Sequence, residues 1–190
     1  MRFPVFAIAV EAQEGRWRSR LSGLLAMARG LVTARMSPVL FCLDFVVYPV
    51  LVIVCLVVAF SGEGGVLLAV STAVLGIALW TFTEYVAHRC VLHHVPGFAK
   101  LHHAHHDAPK DLVGTPTLIS VALFLVLAFW PALEVSNLQI AAALMAGLWS
   151  GYLAYTVAHY AIHHTGSNRY GVFRTLKRHH ALHHFRNGQS

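Results

Sequence analysis

Residues 66–83 read VLLAVSTAVLGIALWTFT, and the chain runs straight on into Glu84-Tyr-Val-Ala-His88, His93 and His102-His-Ala-His105-His106. An apolar run of this length approaches the roughly 20 residues that cross a bilayer as a helix. The pattern recurs. A second apolar stretch from Leu138 to Val157 leads into His159-x3-His163 and then His180-x2-His183-His184. All fourteen histidines lie in these two blocks, 88–106 and 159–184. Membrane span followed by histidines, twice, is the reading from which the rest follows.

Composition agrees with it. Hydrophobic residues make up 57% of the 190 residues and charged residues 12%, about half of the roughly 25% usual in soluble domains. Two further segments qualify as spans, Pro38 to Phe60 and Leu118 to Leu133, the latter short enough to need tilting or extension. Asp44 and Pro49 interrupt the first, and both are tolerated where a helix faces a bundle interior. The expected fold is therefore an all-α integral membrane protein with four transmembrane helices and a cytosolic helical cap holding a histidine-rich dimetal centre. It is read as one domain over 1–190, with a basic cytosolic or interfacial N-terminus at 1–36 and the transmembrane and catalytic region at 37–190.

Charge sets the expected orientation. All fourteen lysines and arginines lie before the first span, between the second and third, or after the fourth. The connections 61–65 and 134–137 contain none. By the positive-inside rule the N-terminus, both histidine blocks and the C-terminus belong on the cytoplasmic side. The net charge of +6 does not indicate nucleic acid, because the basic residues flank spans and form no stripe with interleaved aromatics. Arg16, Arg18, Arg20, Arg29 and Arg35 alternate with leucines, either as an interfacial amphipathic helix on membrane lipid or as a plain basic flank. The run from Met1 to Val10 is too short for a signal peptide and reads as a tail. Cys42, Cys55 and Cys90 form no CxxC pair, which argues against a disulfide framework or a zinc ribbon.

Imidazole is the commonest side-chain ligand for iron, zinc and copper. Residues three and four apart share a helix face. His102, His105 and His106 should therefore project together, as should His180, His183 and His184. His159 and His163 form an i, i+4 pair, while His88 and His93, five apart, need a local unwinding or a helix end to converge. With His88, His93, His102, His105, His106, His159, His163, His180, His183 and His184 there are too many ligands for one structural zinc, which takes four. They suit two metals with about five ligands each. Glu84, Asp107, Asp111 and Tyr155 are candidates to hydrogen-bond the far ring nitrogen of a ligand and fix its orientation. For Glu84 and Tyr155 the alternative is an interfacial polar residue at a span end. His94, His103, His164 and His179 would point elsewhere on their helices. Ligands that follow the spans, with Asp44 the single acid well inside one, argue against a metal transporter, whose ligands sit near the bilayer midplane. The helical spacing argues against a low-complexity, non-catalytic metal buffer.

The string Trp80-Thr-Phe-Thr-Glu84-Tyr-Val-Ala-His88-Arg89, then His102 to His106 and Ala108-Pro109, resembles the fatty acid 2-hydroxylase group of the fatty acid hydroxylase and sterol desaturase superfamily. Tyr155-x3-His159-Tyr160 and Leu176-Lys-x-His179-His180-x2-His183-His184-Phe185 resemble it too. The resemblance covers Trp80 to Phe185 and fills all ten ligand positions. It implies a di-iron monooxygenase that inserts one atom of O2 into a C–H bond of a lipid acyl chain, in this group at the carbon beside the carbonyl. Zinc can occupy such sites in purified protein, but it has no redox chemistry. Many eukaryotic members carry a cytochrome b5 domain. The sequence contains no such domain and no His-Pro-Gly-Gly haem motif, so electrons are expected from a separate donor such as cytochrome b5, ferredoxin or a reductase. Carotenoid and sterol hydroxylases of the same superfamily are the neighbouring alternatives.

Overall fold

The computed structural model describes Trp17 and residues 34–62, 64–165 and 171–185. The basic, leucine-rich run before residue 34 otherwise lies outside the described residues. Among the described residues, four helices are long and apolar enough to cross a membrane: α1 (Pro38–Phe60), α2 (Gly65–Leu92), α4 (Thr117–Val135) and α5 (Leu138–His164). Two shorter helices, α3 (Phe98–Asp107) and α6 (Gly171–Phe185), follow α2 and α5. The described residues also include one two-residue antiparallel pairing, β1 (Ala34–Arg35) with β2 (Val113–Gly114).

Helix ends follow local chemistry. Ser37 caps α1 by accepting a hydrogen bond from the Leu40 N–H, with Pro38 in the first turn. Asn137 Oδ1 caps α5 by accepting from the Ile140 N–H at 2.9 Å. Both use a short polar side chain to satisfy an amide that the helix leaves without a partner. Pro96-Gly97 breaks the chain between α2 and α3, and Gly97 sits at φ 96°, a left-handed conformation that suits glycine. The third apolar run begins one residue before, and ends two after, the Leu118–Leu133 expected from sequence. Its helix widens to a π-turn at Leu125–Phe129 just ahead of Pro131, where an extra residue relieves the clash of the proline ring with the preceding turn.

Helix α5 is the post of the bundle. Half of its apolar window is buried, against 11–17% for the other three spans. Helices α1 and α2 each pack along α5 and scarcely touch one another. Glycine makes the α2–α5 contact close: a Cβ on Gly147 would collide with the Ala73 carbonyl and lie 2.9 Å from the Gly76 Cα. Small residues at such crossings let backbones approach where lipid supplies no hydrophobic drive. Near this crossing, Tyr48, Met145, Leu148 and Trp149 form one buried core cluster, and Ala59, Ala69 and Ala143 form another.

Asp44 does not break α1. It is 4% exposed and accepts hydrogen bonds from Thr117 Oγ1 of α4 and the Tyr152 hydroxyl of α5, both at 2.6 Å. One turn deeper the Tyr48 hydroxyl donates to Ser120 Oγ at 2.6 Å. A polar group in a span must find its partners inside the protein, and this network ties α1, α4 and α5 together.

Candidate metal centre

The centre is built where α2 and α5 end and α3 and α6 fold over them. The sequence places His88 and His93 five apart, and α2 finishes in a π-turn over Ala87–Leu92. A π-turn closes i→i+5, so these two rings stack up with centroids 5.2 Å apart. His159 and His163 sit one α-helical turn apart on α5, centroids 4.8 Å apart.

The histidines gather into two groups of four, each offering ligand atoms within 4.8 Å of one another. One group is His88, His93, His102 and His183. The other is His105, His159, His163 and His180. The blocks therefore exchange a residue: His105 of the first block joins the second group, and His183 of the second block joins the first. The helical spacing predicts that each cap triplet projects together. They share a face but diverge, because a step of three residues falls about 60° short of a full turn. The His102 and His105 centroids are 6.2 Å apart; those of His180 and His183 are 6.1 Å apart. His106 and His184 lie between the groups, their rings stacked at 4.1 Å and 19°. His106 Nε2 is 3.0 Å from His102 Nε2 on the first side. The His184 centroid is 4.5 Å from that of His180 on the second.

The donor set fits metal. A bond of about 2.0–2.1 Å from zinc or a similar ion to nitrogen gives ligand nitrogens roughly 2.9–3.4 Å apart at octahedral to tetrahedral angles. His88 Nε2 and His183 Nε2 are 2.9 Å apart, and His93 Nε2 and His183 Nε2 are 3.2 Å apart. In the other group His180 Nε2 and His163 Nε2 are 2.8 Å apart. His105 is 4% exposed, and neither of its ring nitrogens has a hydrogen-bond partner. A buried polar atom without a partner is costly, and a cation beside it would remove that cost.

Electrostatics keep these rings ready to bind. Burial first, and repulsion from neighbouring imidazoles second, lower the pKa of His106 to about 3, of His105 and His184 to about 4, and of His102 and His180 to about 2. Burial also lowers His93 and His183. All are neutral near pH 7, the form that coordinates metal.

Of the four supporting candidates, Glu84 Oε1 lies 3.7 Å from His88 Nδ1. Tyr155 stacks its ring on His159, centroids 5.7 Å apart at 24°, rather than hydrogen-bonding it. Asp111 lines a small gap beside His105, His159 and His163. Asp107 stands exposed at the end of α3. The surplus histidines are engaged elsewhere or lie outward. His94 Nδ1 meets the Arg89 carbonyl at 2.8 Å, and His164 meets the carbonyls of Tyr160 and Lys110 at 3.1 and 3.2 Å. His103 and His179 are exposed.

Two larger cavities among the described residues also reach the histidines. One, about 350 Å³, runs from His88, His102, His105 and His159 down among the spans to Trp80, Asp44 and Tyr152. Met36, Val113 and Gly114 roof it, held by the β1–β2 pairing and by the Met36 N–H donating to the Leu112 carbonyl at 2.8 Å. The other, about 600 Å³ and more open, lies toward Tyr85, Arg89, Leu176 and His179. Sequence reasoning missed the first cavity's walls. Asp44 inside an apolar run was the one signal that pointed to them.

The sequence model of the fatty acid hydroxylase family matches residues 73–190. A dihydroceramide fatty acyl 2-hydroxylase of Arabidopsis thaliana is 38% identical over 128 residues, 62% of this chain and 52% of that protein. A ceramide very long chain fatty acid hydroxylase of Saccharomyces cerevisiae is 35% identical over 130 residues, 60% of this chain and 32% of that one. The solved structure described as full-length scs7p, with only the hydroxylase domain visible, superposes with a TM-score of 0.67 at 27% identity, covering 78% of this chain and 60% of that one. The chain thus spans about half the length of the Arabidopsis relative and about a third of the yeast relative. A match over more than half of the sequence, which takes in every histidine of both groups, establishes that this chain belongs to the fatty acid hydroxylase family.

Proposed function

We propose that this protein is a membrane hydroxylase that adds one atom of O2 to a lipid acyl chain, at the carbon beside the carbonyl, using two iron ions. The observation that carries the reading is the pairing of two four-imidazole groups with an apolar cavity that descends from them into the bundle. The relatives named for fatty acyl and ceramide substrates favour an acyl chain over a carotenoid or sterol ring.

In this reading His88, His93, His102, His106 and His183 hold one ion, and His105, His159, His163, His180 and His184 hold the other. Iron bound there would supply the O2-dependent chemistry that zinc cannot. The balance is R–H, O2, two electrons and two protons giving R–OH and water. The electrons come from a separate donor of the cytochrome b5, ferredoxin or reductase type. The chain's own part is positioning. Neutral histidines bind the ions, Glu84 orients the His88 ring and Tyr155 fixes the plane of His159. The apolar walls seat the chain and keep water from the reacting carbon. The basic flanks favour a cytoplasmic position for the histidines.

The test is lipid mass spectrometry on cells expressing the chain under 18O2. A new acyl species one labelled oxygen heavier is expected, with fragmentation placing the oxygen beside the carbonyl. Folded, iron-loaded protein with a competent reductant and no labelled product would overturn the proposal.

A further inference from the structure

The apolar cavity has a floor. Trp80 lies eight residues below His88 on α2, about 12 Å at the helical rise. Tyr152 lies seven below His159 on α5, about 10 Å. Across from them Asp44 of α1 is fixed by its two hydrogen bonds to Thr117 and Tyr152. The Trp80 ring packs on Tyr152 at 5.2 Å and on Phe124 at 5.4 Å. Tyr48, fully buried, closes the space beneath, its ring 4.6 Å from that of Tyr152. A chain entering from the histidines therefore meets packed aromatic rings and a carboxylate after about 10–12 Å. A methylene tail cannot displace that carboxylate, whose partners would be left unsatisfied inside the bundle.

We propose that Trp80, Tyr152 and Asp44 measure the acyl chain. An extended chain advances about 1.2 Å per bond, so the cavity seats about eight to ten carbons beyond the one held at the histidines. With the carbonyl carbon and the carbon beside it at the metals, the preferred acyl group has about ten to twelve carbons. This inference rests on the hydroxylase reading and adds to it the size of the substrate and the residues that set it.

The test is a competition among saturated acyl substrates of one headgroup, from eight to twenty carbons, using the full-length, iron-loaded chain with a chemical or protein reductant. Products are read by mass spectrometry. The wild type is expected to peak at about ten to twelve carbons and to fall at least tenfold by eighteen. Trp80→Ala moves the wall back to Phe124, 5.4 Å away, so its peak should shift up by about four carbons. Trp80→Phe, a milder change less prone to misfolding, should shift it by one or two. In the opposite sense, Thr156→Phe, which fills the cavity between Tyr152 and His159, should shorten the preference. A wild-type profile that is flat or rises toward twenty carbons would mean that the tail leaves sideways between α1 and α2, and it would overturn the ruler while leaving the hydroxylase intact. An unchanged peak in both Trp80 variants would overturn it equally. No labelled product at any chain length would instead remove the underlying reading.

Discussion

Replacing Gly147 by alanine tests the close crossing of α2 and α5. The added Cβ would overlap the Ala73 carbonyl and stand 2.9 Å from the Gly76 Cα. Both neighbours are backbone, so no side chain can rotate away. The helices must separate or bend, and overpacking of this kind costs about 1–3 kcal/mol, here toward the upper end. For a chain of this size about 3 kcal/mol lowers Tm by roughly 6–12 °C. The same separation pulls His88 away from His159, since one rides on each helix. Purified protein in detergent, heated at one fixed rate and followed by circular dichroism, gives the shift. Gly171→Ala is the control, because a Cβ there meets nothing within 4 Å. A Gly147→Ala protein that melts with the wild type and binds metal normally would refute the argument that this contact sets the helix spacing.

Asp44→Ala leaves the hydroxyls of Thr117 and Tyr152 without their acceptor and is expected to destabilise by about 2–4 kcal/mol. Asp44→Asn keeps an acceptor and should cost clearly less, so equal losses in a denaturant titration would count against the network. His105→Ala should lower bound metal by at least one equivalent per chain, whereas His94→Ala, whose ring already meets the Arg89 carbonyl, should retain the wild-type content; elemental analysis after metal loading decides. For the metal-free protein, pH dependence follows from the lowered cap histidines. Their folded pKa values of about 2 to 4 lie below the ordinary value of 6.5. The unfolded chain then binds more protons between these limits, so stability is complete above about 6.5 and declines as pH falls toward 4. Melting temperatures that rise on acidification through this window would contradict the burial of these rings.

Much of this architecture is legible from the sequence because membrane spans and histidine spacing are strong, local signals. The first and fourth spans begin at Pro38 and Leu138, where hydropathy and the capping residues Ser37 and Asn137 change together. The five-residue gap between His88 and His93 calls for an unwound turn, and α2 ends in one. What the sequence does not carry is relative placement. Nothing in the spacing of the cap triplets tells His105 to leave His102 for the other group, since that depends on how α3 crosses α5. Asp44 reads as an interruption, and its partners Thr117 and Tyr152 are 73 and 108 residues away. The pairing of Ala34–Arg35 with Val113–Gly114 gives no signal at all in two such short stretches.

The exchange of His105 and His183 between the two groups has a bearing on assembly. Neither block of the sequence can complete a site from its own residues, so a half-molecule would carry no intact site. With His105 and His106 adjacent on α3, and His183 and His184 adjacent on α6, each cap helix reaches both sites. An ion entering one site would draw both helices into place and prepare the other for its own. Loading should then be close to all-or-none, with few molecules caught holding a single ion, and chelation should release the pair together.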